Sequence, residues 1–239
     1  MWEYFQYIKM KNLKLTVGII LLTLIMMEST YSQDWANLNH YKLENENLNL
    51  PDPGEKRIVF IGNSITEGWS QHHPEFFVDN PYINRGIGGQ TTPQILIRFR
   101  QDVIDLNPTI VVILAGTNDI AGNTGPMTLE MIRNNIISMC EIAQANGINV
   151  IISSVLPAFD YTWKPGLNPD KKIPVLNDML KQYAESKGFV YLDYFASMVD
   201  EHNGLKKEYG ADGVHPNEAG YKVMEPLVEE AIHDALTKN

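Results

Sequence analysis

The sequence predicts an α/β fold in which a parallel sheet of about five strands is covered by helices on both faces. Short runs of β-branched and other apolar residues alternate along the chain with segments whose apolar residues recur at helical spacing. Most of the strand-like runs are continuously apolar, which is typical of strands buried on both faces. Such alternation favours parallel strands joined by right-handed helical crossovers.

Each predicted strand is a short apolar run bounded by polar, glycine or proline residues. The predicted strands are Ile58–Ile61, Tyr82–Asn84, Ile110–Leu114, Val150–Val155 and Phe189–Leu192. The predicted helices have recognisable first and last residues, because proline suits a first turn and glycine follows a last one. They begin at Thr92, Thr128, Pro174 and Pro216, and the second and third end at Gly147 and Gly188. Pro226 lies within the last helix and is expected to kink it.

The length of 239 residues fits one domain with a substantial core. We expect that domain to span residues 56–239 and a polar, asparagine-rich lead-in to precede it at residues 33–55. The formal net charge of -10 and the pI near 5.0 argue against a nucleic-acid partner, because proteins that follow a phosphate backbone present a basic face.

Residues 1–32 have the order of a secretory signal peptide. Three lysines (Lys9, Lys11 and Lys14) precede an apolar run at Leu15–Met27, and small residues follow before a cleavage site expected near Ser32-Gln33. A compact signal peptide could also start at Met10, followed by Lys11, with Met1–Lys9 then an extension ahead of the true start. The run is short for a bilayer, although an uncleaved anchor is the alternative. We therefore expect an exported protein, periplasmic or secreted, with no stable membrane anchor after cleavage.

Cys140 is the single cysteine of the chain, so no internal disulfide can form. Its place on the apolar side of a predicted helix favours a buried and inert thiol over a nucleophile. No cysteine lies near the expected cleavage site, so we expect no lipid-modified cysteine.

The segment Asp212-Gly213-Val214-His215-Pro216 carries a carboxylate and an imidazole three residues apart, directly ahead of a helix. Pro216 favours an extended conformation at His215 and so keeps the imidazole off the helix. Asp212 can then bond one ring nitrogen and leave the other free as a base. The alternative is an Asx-type turn that only caps the helix, so the interpretation depends on a nucleophile elsewhere.

Ser64 lies where the first predicted strand ends and a helix can begin. That position exposes the hydroxyl and places a backbone N–H at a helix N-terminus, which suits a nucleophile beside an oxyanion donor. A plain helix-capping serine is the alternative. The α/β-hydrolase elbow is a separate pattern, and it requires glycine where this chain has Thr66.

Two further loops supply candidate donors. Gly86, Gly88 and Gly89 follow the second strand, where glycines let backbone N–H groups approach a ligand, and Asn118 follows the third strand with a neutral amide donor. Each signal alone also fits an ordinary turn. Because parallel strands end at one edge of the sheet, the four signals together predict a site for acyl transfer there.

These residues resemble the four blocks of the SGNH (GDSL-type) hydrolase superfamily of esterases and lipases, in its acetylhydrolase-like branch. The blocks are Gly62-Asn63-Ser64, Gly89, Gly116-Thr117-Asn118-Asp119 and Asp212–Pro216, within residues 57–232. The resemblance implies a flavodoxin-like, three-layer α/β/α fold and a serine ester hydrolase that needs no metal or other cofactor. One departure is Asn63, where the family usually has aspartate; asparagine keeps an acceptor and loses the charge.

By motif match, the resemblance implies that Ser64 is the nucleophile, His215 the base and Asp212 the residue that orients it. The oxyanion hole would combine the backbone N–H groups of Ser64 and Gly89 with the Asn118 side chain.

Metal catalysis has no support, because the adjacent His72 and His73 lack the spacing of a ligand set and are interpreted as a surface pair.

The substrate pocket is predicted from residues around the nucleophile and from the segment that follows the fourth strand. The candidate pocket residues are Asn63, Ile65, Trp69, Phe159, Tyr161 and Trp163. Aromatic rings in the segment 156–172 could stack on sugars or line an acyl pocket, and the alternative is a packed surface loop. Trp69 could equally be a pocket wall or part of the helix packing.

We expect an esterase that removes short acyl groups, such as acetyl, from glycans or other small esters. A lysophospholipase or other lipid acyl esterase is the alternative enzyme. An inactive carbohydrate-binding relative is the alternative that is not an enzyme.

Overall fold

The structure is a computed structural model that describes the backbone of residues 1–31 and 34–238 and the side chains of residues 1–7, 9–17 and 34–238. The signal cleavage site expected near Ser32-Gln33 lies outside the described residues.

The strands are β1 (Ile58–Gly62), β2 (Tyr82–Gly86), β3 (Ile110–Leu114), β4 (Asn149–Ser153) and β5 (Val190–Leu192). The helices before β3 are α1 (Trp2–Tyr31), α2 (Lys42–Asn47), α3 (Ser64–His72), α4 (Glu75–Val78) and α5 (Thr92–Asp102), the last followed by a 3-10 turn at Ile104–Leu106. Those after β3 are α6 (Thr117–Ile120), α7 (Leu129–Ala145), α8 (Pro169–Lys187), α9 (Tyr194–Met198) and α10 (Glu218–Thr237).

The five strands form one sheet in the order β2-β1-β3-β4-β5, and every neighbouring pair is parallel. Ile58 of β1 pairs with Tyr82 on one side and with Ile110 on the other. Because all strands run the same way, their carboxyl ends share one edge, and the loops that follow them meet there.

Helices cover both faces of this sheet. Alternate strand residues such as Val59 and Ile113 pack against α5, α7 and α8, whereas Phe60 and Val112 pack against α3, α4 and α10. This alternation follows from the two-residue period of a strand. The predicted parallel sheet with helices on both faces is confirmed, and the architecture is three-layer α/β/α.

Helix α8 begins earlier than the sequence suggests, so its predicted start at Pro174 is wrong. The helix begins at Pro169, and Pro174 lies inside it. Proline has no N–H to give to the carbonyl four residues back. The side-chain amide of Asn203 donates to that Asp170 carbonyl at 3.1 Å and replaces the missing bond.

Other boundaries move by two residues as well; β2, for example, ends at Gly86, not Asn84. Helix α10 begins at Glu218, not Pro216, because the Asn217 side chain caps it by accepting from the Gly220 N–H at 3.0 Å. Strand β4 ends at Ser153, not Val155. The Asn177 side chain bonds both the N–H and the carbonyl of Val155, at 2.7 and 2.9 Å, and takes the place of a neighbouring strand.

The segment ahead of β1 is held on the domain surface. Helix α2 buries none of its residues, as expected for a polar lead-in, but Ala36 and Tyr41 beside it are buried. Tyr41 donates its hydroxyl hydrogen to the Gly86 carbonyl at the end of β2. The described side chains of α1 are exposed, and across the described residues no helix has the length and apolarity to cross a membrane.

Candidate active site

The candidate site residues lie on loops and helix starts beyond the carboxyl ends of the strands. Ser64 follows β1, Gly89 follows β2 and Asn118 lies in α6 after β3. Asp212 and His215 lie between α9 and α10, in the chain that follows β5. The fold therefore brings together residues from the whole length of the domain.

Ser64 is the first residue of α3, and Asn63 caps that helix. The Asn63 side-chain oxygen accepts from the Ile65 N–H at 3.0 Å, so asparagine keeps the acceptor role at the position where it departs from the family pattern. The first N–H groups of a helix have no partner within it, which leaves the Ser64 N–H available to a ligand. Ser64 Oγ lies 2.9 Å from His215 Nε2.

Asp212 holds His215 through both carboxylate oxygens. Oδ2 lies 2.6 Å from His215 Nδ1, and Oδ1 accepts from the N–H groups of Val214 and His215 at 2.9 and 2.8 Å. Partial burial would raise the pKa of the Asp212 carboxyl, but the hydrogen bonds from His215 and Val214 together lower it. Ionised Asp212 fixes the hydrogen on Nδ1 and leaves Nε2 as the acceptor that faces Ser64.

The glycine loop after β2 packs closely against α3. A Cβ at Gly86 would lie 2.1 Å from the Glu67 backbone nitrogen, so no side chain fits there. A Cβ at Gly88 would lie 3.9 Å from Ser64 Cβ, which places this loop beside the serine. Gly89 has φ of +75°, a backbone conformation that favours glycine.

Asn118 is buried, and its side-chain nitrogen donates to the Gln90 carbonyl at 2.9 Å. An amide group has two hydrogens, so this bond uses one and orients the other. The neighbouring Asp119 accepts from the N–H and hydroxyl of Thr92 at 2.9 and 2.6 Å. Burial raises the pKa of Asp119 to about 6, although the hydrogen bonds from Thr92 oppose this.

Trp163 is the predicted pocket aromatic that lies beside the candidate triad. Its indole is 47% exposed and its ring centroid is 6.1 Å from that of His215. The Tyr161 ring packs against the indole, with the two ring centroids 5.1 Å apart. Phe159 is 60% exposed but contacts His202, so the structure does not bring it to His215.

Four of the predicted pocket residues are buried in the protein interior. Trp69 is stacked on Phe76 at 4.9 Å, within the aromatic packing between α3 and the sheet. Tyr161 is fully buried and its hydroxyl is bonded to Thr117. Asn63 and Ile65 are buried at the start of α3, so all four side chains belong to the packed interior, and a role for them in the pocket stays a prediction.

Three further side chains, all outside the sheet, can be compared with their predictions. Cys140 is fully buried, as predicted, and burial raises the pKa of its thiol to about 12. His73 Nδ1 lies 2.7 Å from Glu225 Oε1, whereas His72 stacks on Tyr221. The two histidines thus contact different residues of α10.

Sequence reasoning missed the buried polar residues behind the site, chiefly Gln90 and Arg98. Arg98 and Asp102 lie four residues apart on the buried side of α5 with Ile95 and Phe99, and they form an ion pair at 3.0 Å. Complementary charges at this spacing among apolar residues are a signal that the sequence does contain.

The fold and the site geometry define a class: α/β/α hydrolases of the SGNH type, with serine, histidine and aspartate at the carboxyl edge of a parallel sheet. Residues 60–223 match the GDSL-like Lipase/Acylhydrolase family, and the chain belongs to this family. It is a carboxylic ester hydrolase, as predicted.

Solved structures and curated relatives agree with this assignment. A structure from Bacteroides fragilis is 50% identical, with a TM-score of 0.83 over 85% of this chain and 99% of that one. A GDSL-like lipase from Bacteroides thetaiotaomicron is 48% identical, with a TM-score of 0.82 over 84% of this chain and 98% of that one. An acetylxylan esterase from Xylanibacter ruminicola is 26% identical over 77% of this chain, which matches 45% of that protein's length.

Proposed function

We propose that the chain is a serine esterase in which Ser64, His215 and Asp212 form the catalytic triad and that it removes short acyl groups, chiefly acetyl, from carbohydrate esters. The observation that carries the proposal is the continuous chain of contacts from Ser64 Oγ to His215 Nε2 at 2.9 Å and from His215 Nδ1 to Asp212 Oδ2 at 2.6 Å. This is the connectivity that general-base activation of a serine requires.

In the proposed reaction, Ser64 Oγ attacks the ester carbonyl carbon while its proton passes to His215 Nε2. The tetrahedral intermediate collapses, the bond from carbon to the alcohol oxygen breaks, and His215 protonates that oxygen. A water molecule then gives a proton to His215 and attacks the acyl-enzyme, which releases the acid and restores Ser64. Asp212 stabilises the imidazolium in both steps.

The negative charge on the carbonyl oxygen needs donors that are already in place. The backbone N–H groups of Ser64 and Gly89 and the second amide hydrogen of Asn118 are the proposed oxyanion hole. Support comes from the start of α3 at Ser64, the proximity of the Gly88 position to Ser64, and the bond from Asn118 to Gln90. Each such donor acts most strongly where water is excluded.

The preference for a carbohydrate ester rests on how open the site is. The side chains of His215 and Asp212 are 40% and 44% exposed, so a bulky alcohol group can approach from solvent. Trp163 is about half exposed beside His215, and aromatic side chains in such positions can stack on a sugar ring. The activity named for the acetylxylan esterase relative points the same way.

Replacement of Ser64 tests the triad. Wild-type protein should react with a fluorophosphonate and hydrolyse 4-nitrophenyl acetate, whereas Ser64→Ala should do neither. Ser138→Ala removes a hydroxyl that bonds only within α7, to the Asn134 carbonyl, and should behave as wild type. A folded Ser64→Ala protein that retains the wild-type rate contradicts the proposal.

A substrate series tests the acyl group and the alcohol. We expect kcat/KM to be highest for acetyl esters, lower for butyryl esters and lowest for long-chain esters, with acetylated xylo-oligosaccharides among the good substrates. A preference for long-chain lysophospholipids would favour the alternative lipid esterase. Export after signal cleavage remains part of the proposal, and N-terminal sequencing of the mature protein would test it.

A further inference from the structure

Arg98 is a fully buried guanidinium on α5 that the proposed chemistry does not use. Its nitrogens donate to the Gln90 side-chain oxygen at 2.6 Å, to Asp102 at 3.0 Å and to the Gly62 carbonyl at 2.9 Å. Burial of a charge is costly unless the charge is paired and hydrogen-bonded. Of these three acceptors, Gly62 is the last residue of β1 and Gln90 lies in the loop that follows β2, so the arginine joins the end of β1 to that loop.

The Gly62 carbonyl is the first of these junctions. It accepts from Arg98 Nη2 and also from the Ile87 N–H at 3.1 Å. Gly62 ends β1 two residues before Ser64, and Ile87 lies two residues before Gly89. These bonds therefore set the distance between the loop that carries Ser64 and the loop that carries Gly89.

Gln90 is the second junction and is bonded in three directions. Its side-chain oxygen accepts from Arg98, and its side-chain nitrogen donates to the Ala36 carbonyl of the lead-in at 2.7 Å. Its backbone carbonyl accepts from the Asn118 side chain at 2.9 Å. A displacement of Gln90 would therefore move Gly89 and release Asn118 together.

We propose that Gln90 and Arg98 are positioning residues that hold the Ser64 N–H, the Gly89 N–H and the Asn118 amide at the spacing that an oxyanion requires. The inference rests on the proposed function. Neither residue touches the substrate. The physical basis is that oxyanion donors must lie within about 2.7–3.1 Å of the developing charge, and that a displacement of about 1 Å can cost about a hundredfold in rate.

The contacts to the lead-in supply a matched control. Gln101 lies on α5, the helix that carries Arg98. It donates its side-chain amide to the Leu38 carbonyl at 2.7 Å, as Gln90 does to the Ala36 carbonyl. Gln101 bonds neither Arg98 nor Asn118; its amide also donates to Asp102 Oδ1 at 3.3 Å, which is not the oxygen that accepts from Arg98. Gln90→Met and Gln101→Met thus each remove one bond to the lead-in, but Gln90→Met alone removes the bond to Arg98.

The experiment measures kcat and KM on 4-nitrophenyl acetate, together with the inhibition constant of a trifluoromethyl ketone, whose serine adduct places an oxyanion in the hole. For Gln90→Met we expect kcat to fall roughly ten- to a hundredfold, KM to stay within about twofold, and affinity for the ketone to fall in parallel with kcat. Gln101→Met should leave all three within about twofold of wild type. Melting temperatures of both variants report any general loss of structure.

Gln90→Glu is the conservative variant, because a carboxylate keeps an acceptor for Arg98, while its second oxygen replaces the donor to Ala36 and adds a negative charge beside the buried guanidinium. It should recover most of the activity that Gln90→Met loses. The inference is overturned if Gln90→Met keeps the wild-type kcat or if Gln101→Met loses as much kcat as Gln90→Met does. It is also overturned if Gln90→Met binds the ketone as tightly as wild type, or if the kcat of Gln90→Glu is no higher than that of Gln90→Met. If Ser64→Ala retains activity, the proposed function itself fails; if Ser64→Ala is inactive and Gln90→Met is normal, only this inference fails.

Discussion

Asp119 Oδ1 accepts hydrogen bonds from both the backbone N–H and the hydroxyl of Thr92, at 2.9 and 2.6 Å. The pair ties α6, which carries Asn118, to the first residue of α5. Because Asp119 is buried, its ionisation has a free-energy cost that the Thr92 donors and a backbone hydrogen bond of Asp119 itself offset only in part.

This burial predicts a specific pH dependence of stability. The pKa of Asp119 is raised from 3.8 to about 6, so the folded state binds this proton more tightly than the unfolded state does. The stabilisation of the folded state by protonated Asp119 is fully present below about pH 4 and is lost as pH rises through about 6. For a pKa that rises by about two, the loss in the free energy of unfolding is roughly 3 kcal/mol. Urea unfolding between pH 4 and pH 7 should show this loss in wild type but not in Asp119→Asn.

Asp105→Asn is the control for that comparison, because Asp105 is exposed. Its unfolding free energy should follow the wild-type pH profile. If the profiles of wild type and Asp119→Asn are parallel over this range, burial of Asp119 has no such effect on its pKa.

Removal of the Asn118 amide should lower turnover while leaving the triad intact. Asn118→Ala should lower kcat by about a hundred- to a thousandfold, as expected for one oxyanion donor. Asn118→Asp should be at least as impaired, because it replaces the donor by a carboxylate close to the developing negative charge. Steady-state kinetics on 4-nitrophenyl acetate measures both, and a loss of less than about fivefold in Asn118→Ala would remove Asn118 from the proposed hole.

Asp212 should affect catalysis by orienting His215, not by accepting the backbone N–H groups of its turn. Asp212→Asn should lower kcat by about three to four orders of magnitude, because asparagine no longer holds the correct His215 tautomer. Asp193 also accepts a backbone N–H, that of Ala196 at 3.0 Å, but lies at the start of α9. Asp193→Asn is therefore a control for lost capping, and equal kcat values for the two variants would contradict the role proposed for Asp212.

Trp163 should affect carbohydrate esters more than simple ones. Trp163→Ala is expected to raise KM for an acetylated xylo-oligosaccharide by about tenfold or more, the equivalent of roughly 1.4 kcal/mol of lost stacking. KM for 4-nitrophenyl acetate should change little. Phe159→Ala, which removes an exposed ring that contacts His202, should leave both KM values near wild type. Equal effects of Trp163→Ala on both substrates would argue against a sugar platform.

Most of the fold could be predicted because its signals are local. Most strands contain a short apolar run, and β3 occupies the predicted residues Ile110–Leu114. Helix starts that depend on contacts distant in the chain were missed. Helix α8 extends back to Pro169, and the Asp170 carbonyl that Pro174 cannot bond accepts instead from Asn203, thirty-three residues beyond Asp170. Sequence spacing carries no information about such a partner.

The candidate triad was within reach of sequence reasoning for a related reason. In a parallel sheet every strand ends at the same edge, so residues that follow strands converge without knowledge of their distances. The pocket residues could not be predicted in this way, because an aromatic side chain near the nucleophile can face either the core or the solvent. Trp69 packs on Phe76 in the interior, whereas Trp163 lies exposed beside His215.

The sequence by itself determined the alternation of the five strands with the longer helices, the sheet edge at which the polar residues gather, and the types of group available for acyl transfer. These follow from apolar periodicity and from the direction of parallel strands. Only the tertiary structure decided which aromatic rings are exposed and that Gln90 and Arg98 stand behind the site. Both depend on close packing between segments far apart in the chain, and that packing is set by the three-dimensional fit of side chains rather than by any local pattern.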